Sequence, residues 1–250
     1  HKTYAFISDG GIQEEVSQGA GRIAGHLGLH NLIMFYDANE VQLSTKVVEV
    51  NSEDVAAKYR AWNWNVIEVD GSDAAAIANA LQQAIDEKER PTLIIGHTTM
   101  ARGARTADGG SLEGAVSTHG QPLSKAGADI NTTISKLGGD PENPWVIRPE
   151  VKKLYEDRAV ELRRIVDARR AQFAKWADAN PEEAALLERY IRMELPALDW
   201  NSVPLKADQP TRAASAACLG FLAENVGNMI VSSADLANSD KTDGFLKKTG

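Results

Sequence analysis

One cysteine in 250 residues, 6% aromatics, no long apolar run and no surplus of basic charge mark the sequence first by what is scarce. Each shortage excludes something. With Cys218 alone, an internal disulfide and a cysteine-based zinc site are ruled out. No apolar run nears the roughly 20 residues of a membrane-spanning helix, so no membrane partner is expected. The formal net charge is −8 without a basic stripe to offset it, which argues against nucleic acid. Lys and Arg do gather between residues 152 and 170, but acids are interleaved there, as on a solvated helix face. A reducing, cytoplasmic setting fits this cysteine usage.

What is present is the balance of a globular chain, 43% hydrophobic and 25% charged. Its length suits one large domain or two small ones. The chain opens without Met, enters an apolar run at Tyr4, and closes at Asp243-Gly244-Phe245 as a further αβ unit begins. An internal piece of a longer polypeptide is therefore expected.

Apolar runs and 3.6-residue periods alternate along the first hundred residues. Tyr4-Ala5-Phe6-Ile7, residues 31–36, 65–69 and 91–96 read as strands. Helices are expected over 14–29, whose small residues would allow close packing, over 52–62 with Ser52 as N-cap, and over 73–87. This rhythm predicts an α/β fold, a parallel sheet flanked by helices with right-handed crossovers. Residues 100–120 form a glycine-rich stretch without periodicity, a length of loop that tends to carry function. Helices are expected at 125–137, 150–179, 184–195 and 211–226, and a strand at 228–231 would open a second α/β domain. The domain reading is 1–145, a helical linker over 146–209, and the start of a second domain over 210–250.

Two strand ends carry the chemistry. Ser8-Asp9-Gly10 closes the first apolar run, and Tyr36-Asp37-Ala38-Asn39-Glu40-Val41 closes the second. Ligands of open α/β sheets bind beyond the carboxyl ends of the strands. A carboxylate, an amide oxygen and a backbone carbonyl are ligands for a hard cation such as Mg²⁺ or Ca²⁺, which often bridges to a phosphate. The competing reading is ordinary turn chemistry, since Asp-Gly and Asn commonly follow strands. A dinucleotide loop fits poorly, because the glycine spacing fails and a carboxylate would repel pyrophosphate.

Taken together, these motifs resemble the thiamin-diphosphate enzymes, and among them the transketolase family. The resemblance rests on Asp9, Gly10 and Glu14; on Ala24-Gly25-His26-Leu27-Gly28-Leu29; and on Tyr36-Asp37-Ala38-Asn39. It continues through Ser117-Thr118-His119-Gly120-Gln121-Pro122-Leu123, Thr211-Arg212, Ser232-Ser233-Ala234-Asp235-Leu236 and Ser239. It implies thiamin diphosphate as cofactor and Mg²⁺ or Ca²⁺ held by Asp9, Asn39 and the Val41 carbonyl. Gly10 would let backbone approach the diphosphate, and Leu43 would pack near the thiazolium. His119 would contact the diphosphate and the reacting end of the substrate. Glu14 would lie at a homodimer interface and couple the two active sites. Arg212 and Ser239 would hold the phosphate of a phosphosugar, and Asp235 would lie near the cofactor. His26, His30 and His97 match no catalytic position and read as surface or packing residues.

The implied reaction moves a two-carbon ketol unit from a ketose phosphate to an aldose phosphate, within the pentose phosphate pathway. By the same resemblance, 1–145 is the C-terminal part of a diphosphate-binding domain and 210–250 the start of a pyrimidine-binding domain. Departures from the pattern are Ser8 for its first glycine, Ala38 for its second acid and Ser44 where an acid often follows. The glutamate that activates the cofactor's aminopyrimidine ring would follow Gly250, so these residues alone are expected not to turn over. The alternatives are another enzyme on the same scaffold, such as a deoxyxylulose-phosphate synthase, or a non-catalytic interaction module.

Overall fold

β4, Thr92–His97, carries Leu93, Ile94 and Ile95 in succession, and its first five residues are buried. Such a continuous apolar run suits a strand covered on both faces. In the computed structural model, which describes residues 1–249, β4 lies inside a four-stranded sheet. The order is β1 (Thr3–Ser8), β2 (Leu32–Ala38), β4, β3 (Asn65–Asp70), with every pair parallel. The α/β expectation holds.

Alternation along β2 distributes the core between the two faces. Tyr36 and Ala38 join Leu93 and Ile95 on one face, beneath α1 (Asp9–Gln13), α2 (Glu15–His26) and α3 (Val55–Ala61). Ile33 and Ile94 face the opposite way and meet Ala80 and Ala84 of α4 (Ala74–Asp86). The small residues of α2 admit large neighbours. A Cβ on Gly25 would fall 1.8 Å from the carbonyl oxygen of Trp62, and Trp64 Nε1 donates to the Gly21 carbonyl at 2.8 Å.

Capping decides where α3 begins. The sequence offers Ser52, but Asp54 is the N-cap, because its carboxylate accepts from the Ala57 N–H at 2.8 Å, three residues on. Asp73 caps α4 in the same manner. The expected helix at 125–137 contracts to α5, Ile130–Lys136, after the Asp129 cap; the residues before it form turns.

The chain divides into two compact units, His1–Val146 and Ile147–Gly250; Gly250, the last residue of the 210–250 region, lies outside the described residues. The regular elements among the described residues of the second unit are helices: α6 (Pro149–Ala179), α7 (Pro181–Ile191), α8 (Thr211–Asn225), α9 (Ala237–Asp240) and α10 (Asp243–Thr249), with one short 3-10 turn at Trp200–Ser202. α8 packs on α10, where Gly244 lies against the backbone of Ala216. The strand expected at 228–231 does not form. A strand requires a neighbour for its backbone groups, and the described residues of this unit contain none.

Candidate functional site

β1 turns directly into α1, so Asp9 occupies the first helical position and its side chain turns inward. It is 1% exposed. One carboxylate oxygen accepts from the Tyr36 hydroxyl at 2.6 Å; the other accepts the N–H groups of Asn39 and Glu40, each at 3.1 Å. The register that sets Ser8 beside Asp37 makes this possible, because it brings the exits of β1 and β2 side by side. Glu40 adopts a left-handed φ of 63°, which reverses the chain after β2.

Burial is the main influence on Asp9 and raises its pKa above the ordinary carboxylate value; the bonds from Tyr36 and the two amides oppose this, and the nearby Asp37 charge adds to it. Burial, followed by donation to Asp9, likewise raises the Tyr36 phenol. A buried carboxylate so disposed is stabilised by a cation.

Past Glu40 the chain forms a small hairpin. Val47 N–H donates to the Glu40 carbonyl at 3.0 Å and Gln42 N–H to the Thr45 carbonyl at 2.8 Å. These two bonds flank Val41 and leave its carbonyl out. Asn39 Oδ1 accepts from Val41 N–H at 3.0 Å and keeps one lone pair. The Asp9 carboxylate, with about four acceptor positions, spends three on the bonds above. One position each on Asp9 and Asn39, together with the Val41 carbonyl, makes a mixed oxygen set whose chemistry fits a hard cation. Among the described residues, no group of three or more His, Cys, Asp or Glu side chains is placed to hold a metal.

Leu43 continues this hairpin toward the glycine-rich loop. A Cβ on Gly120 would lie 2.6 Å from Leu43 Cδ1, and Gly120 takes a φ of 73°, where a side chain is strained. His119 therefore adjoins the Leu43 loop. It follows a 3-10 turn over Val116–Thr118, and its N–H donates to the Val116 carbonyl at 3.0 Å. Its Nδ1 is buried without a hydrogen-bond partner. A buried polar nitrogen left so costs about 1–3 kcal/mol, a cost that a hydrogen bond to a ligand would offset. The loop behind it is braced from within: Glu113 accepts Gly103 N–H at 2.7 Å, and Arg105 N–H donates to Thr133 Oγ1 at 3.0 Å.

The fold thus ties Asp9, Asn39 and Val41 together by hydrogen bonds and brings Leu43 against Gly120, the residue after His119. Gly10 is exposed, and a Cβ there would meet nothing within 4 Å, so packing does not demand the glycine and its backbone stays approachable. Glu14 lies exposed at the junction of α1 and α2, without a side-chain cap bond. Arg212, Asp235 and Ser239 belong to the second unit. Arg212 is exposed in the first turn of α8, and Ser239 is exposed in α9. Asp235 is not at a strand end as its neighbours suggested; it occupies an exposed left-handed turn with φ 59°. His26, His30 and His97 are exposed. Sequence reasoning used Tyr36 as part of a motif and missed its hydroxyl as the partner of Asp9. Its even spacing from Met34 and Ala38, on the face that also receives Ile12, was the available signal.

A buried carboxylate and a re-entrant loop at the carboxyl edge of a parallel sheet are the features of an α/β ligand-binding domain. The family model described as "Transketolase, thiamine diphosphate binding domain" matches residues 1–196, and the chain belongs to this family. It is 34% identical to the dihydroxyacetone synthase of Pichia angusta over 245 residues, covering 96% of this chain and 33% of that protein. To transketolase 2 of Xanthobacter flavus it is 36% identical over 251 residues, covering 97% and 35%. The solved transketolase from Leishmania mexicana superposes with a TM-score of 0.86 at 29% identity, covering 100% of this chain and 38% of that one. The chain spans about a third of the length of the curated relatives it matches.

Proposed function

We propose that this chain holds thiamin diphosphate, through Mg²⁺ or Ca²⁺, in an enzyme that transfers a two-carbon ketol unit from a ketose phosphate to an aldose phosphate. The observation that carries this reading is the buried Asp9 carboxylate, tied to the Asn39–Val41 loop in a member of the transketolase family. Asp9, Asn39 and the Val41 carbonyl hold the cation. Gly10 admits the diphosphate, and Leu43 supplies an apolar wall. When bound, thiamin diphosphate supplies the carbon nucleophile and electron sink for breaking and remaking a carbon–carbon bond.

His119 donates to or accepts from the diphosphate and the reacting end of the substrate; imidazole suits both tasks near neutral pH. Arg212 and Ser239 take the substrate's phosphate, the guanidinium by paired N–H bonds to its oxygens. Asp235 lies near the cofactor in the assembled enzyme. Glu14 couples the two sites of a homodimer. Kinship with the family supports a cytoplasmic role in the pentose phosphate pathway. It also supports the division into a diphosphate-binding part over 1–145, a helical linker over 146–209 and the start of a pyrimidine-binding part over 210–250. Phosphosugar binding is supported by the Pichia stipitis transketolase, solved in complex with sedoheptulose 7-phosphate.

The test supplies the full-length protein with thiamin diphosphate, Mg²⁺, xylulose 5-phosphate and ribose 5-phosphate. Formation of sedoheptulose 7-phosphate is expected; its absence, with cofactor bound, removes the reading.

A further inference from the structure

An amide side chain can be turned end for end with little change in shape, yet only its oxygen is a ligand for a hard cation. Something must fix the Asn39 amide. Its Nδ2 donates to Asp37 Oδ2 at 3.4 Å, while its Oδ1 takes the Val41 N–H. A carboxylate only accepts hydrogen bonds, so Asp37 can hold the nitrogen end and not the oxygen end.

Asp37 is in turn held from the other side. Its Oδ1 accepts the hydroxyl of Thr98, the residue that follows β4. Thr98 has little freedom. Its N–H donates to the Ala38 carbonyl at 3.1 Å, and its methyl group approaches the turn after β3 so closely that a Cβ on Gly71 would lie 2.4 Å from it. Gly71 is tied down as well, through its N–H to the His97 carbonyl at 2.8 Å. The exits of β2, β4 and β3 therefore converge on one hydroxyl, one carboxylate and one amide.

We propose that Asp37, held by Thr98, is a positioning residue that fixes the Asn39 amide with its oxygen, rather than its nitrogen, directed to a divalent cation. The inference rests on the reading of Asn39 as a cation ligand given above. Neither Asp37 nor Thr98 is itself assigned to the cation; they act through Asn39.

The experiment measures the Mg²⁺ concentration that half-saturates thiamin diphosphate binding to the full-length protein, by calorimetry. Partners of ligand side chains commonly change metal affinity about 10- to 100-fold when removed, and Asp37→Ala is expected to raise the midpoint by that factor. Thr98→Val deletes the hydroxyl without altering charge or size, and should raise it about 2- to 10-fold. The deciding measurement repeats Thr98→Val in an Asn39→Asp background. A carboxylate there has oxygen at both ends and needs no orienting, so the Thr98→Val effect should vanish. Persistence of that effect would reveal general loop damage and overturn the proposal. Unchanged midpoints for Asp37→Ala and Thr98→Val, with Mg²⁺ dependence lost in Asn39→Ala, would overturn the positioning role and leave the cation reading intact. An Asn39→Ala protein with normal Mg²⁺ dependence would remove both.

Discussion

The two units of this chain bury their apolar residues very differently. In the first, β4 is enclosed on both faces, and Trp64, Tyr59, Ile12 and Leu93 are nearly inaccessible. In the second, the 31-residue α6 buries none of its residues; Leu154, Tyr155, Phe173 and Trp176 all show exposed rings or side chains. Helices draw most of their stability from a packed face, so α6 depends on intrinsic propensity and on exposed pairs such as Lys153–Asp157 at 2.9 Å. Pairs of that kind contribute about 0.3–0.5 kcal/mol each. The contrast is between the enclosed centre of the first unit's sheet and a long helix of the second unit whose apolar side chains are left exposed.

Removing one large aromatic side chain from each unit should expose this difference most strongly. Trp64→Ala removes a side chain 2% exposed and its bond to Gly21, and should cost about 3–5 kcal/mol. Trp176→Ala, at 38% exposure, should cost less than about 1 kcal/mol. Urea midpoints of the two variants measure the gap, and equal losses would erase the distinction between the units.

The two units should also divide the ligand chemistry. Asp9→Ala is expected to weaken Mg²⁺-dependent thiamin diphosphate binding at least about 100-fold, as loss of a cation ligand should exceed loss of its partners. Calorimetry would refute the metal role of Asp9 if affinity were unchanged. Arg212→Ala should leave that affinity alone and raise KM for phosphorylated sugars about 10- to 150-fold, the value of hydrogen bonds to a charged group. A cofactor defect in Arg212→Ala would count against the substrate-phosphate role proposed for it.

The smallest effect concerns the aromatic cluster of the first unit. Tyr59 packs on Trp62 and Trp64 at centroid distances of 4.9 and 5.2 Å, and its hydroxyl is buried without a partner. Burial pushes its phenol from 10.0 to about 12. Because the folded-state value is raised, the unfolded chain loses this proton first as pH climbs. Stability is retained below pH 10 and falls between there and about 12. Tyr59→Phe should add about 1 kcal/mol at pH 8, and it should remove this residue's share of the alkaline loss. Thermal melts at pH 8 and pH 11 compare the two proteins; identical alkaline losses would assign the titration to another group.

Much of the first unit was legible because period and chemistry agreed. The apolar runs at residues 31–36 and 91–96 read as strands, and the helical periods between the runs predicted a parallel sheet; which face each side chain takes came from the structure. Asp9 and Asn39 were legible as strand-end residues for the same reason. The inward turn of the Asp9 carboxylate was not, since it depends on the β1–β2 register and on the left-handed Glu40 that aims two amides at it. Asp54 prevailed over Ser52 as a cap because its oxygen reaches the Ala57 N–H, a matter of local geometry. The strand expected at 228–231 failed for a non-local reason: an apolar run becomes a strand only where a neighbour accepts its backbone bonds.

By itself, the sequence determined the parallel α/β layout, the family, and the residue types gathered at the strand ends, because hydrophobic period and motif order are properties of the linear chain. Tertiary structure decided that Tyr36 and the amides of Asn39 and Glu40 converge on Asp9, that Thr98 reaches Asp37 across two strand exits, and that Leu43 meets Gly120. These contacts join residues 27 to 77 positions apart. Strand pairing and register set such distances, and no local pattern encodes them.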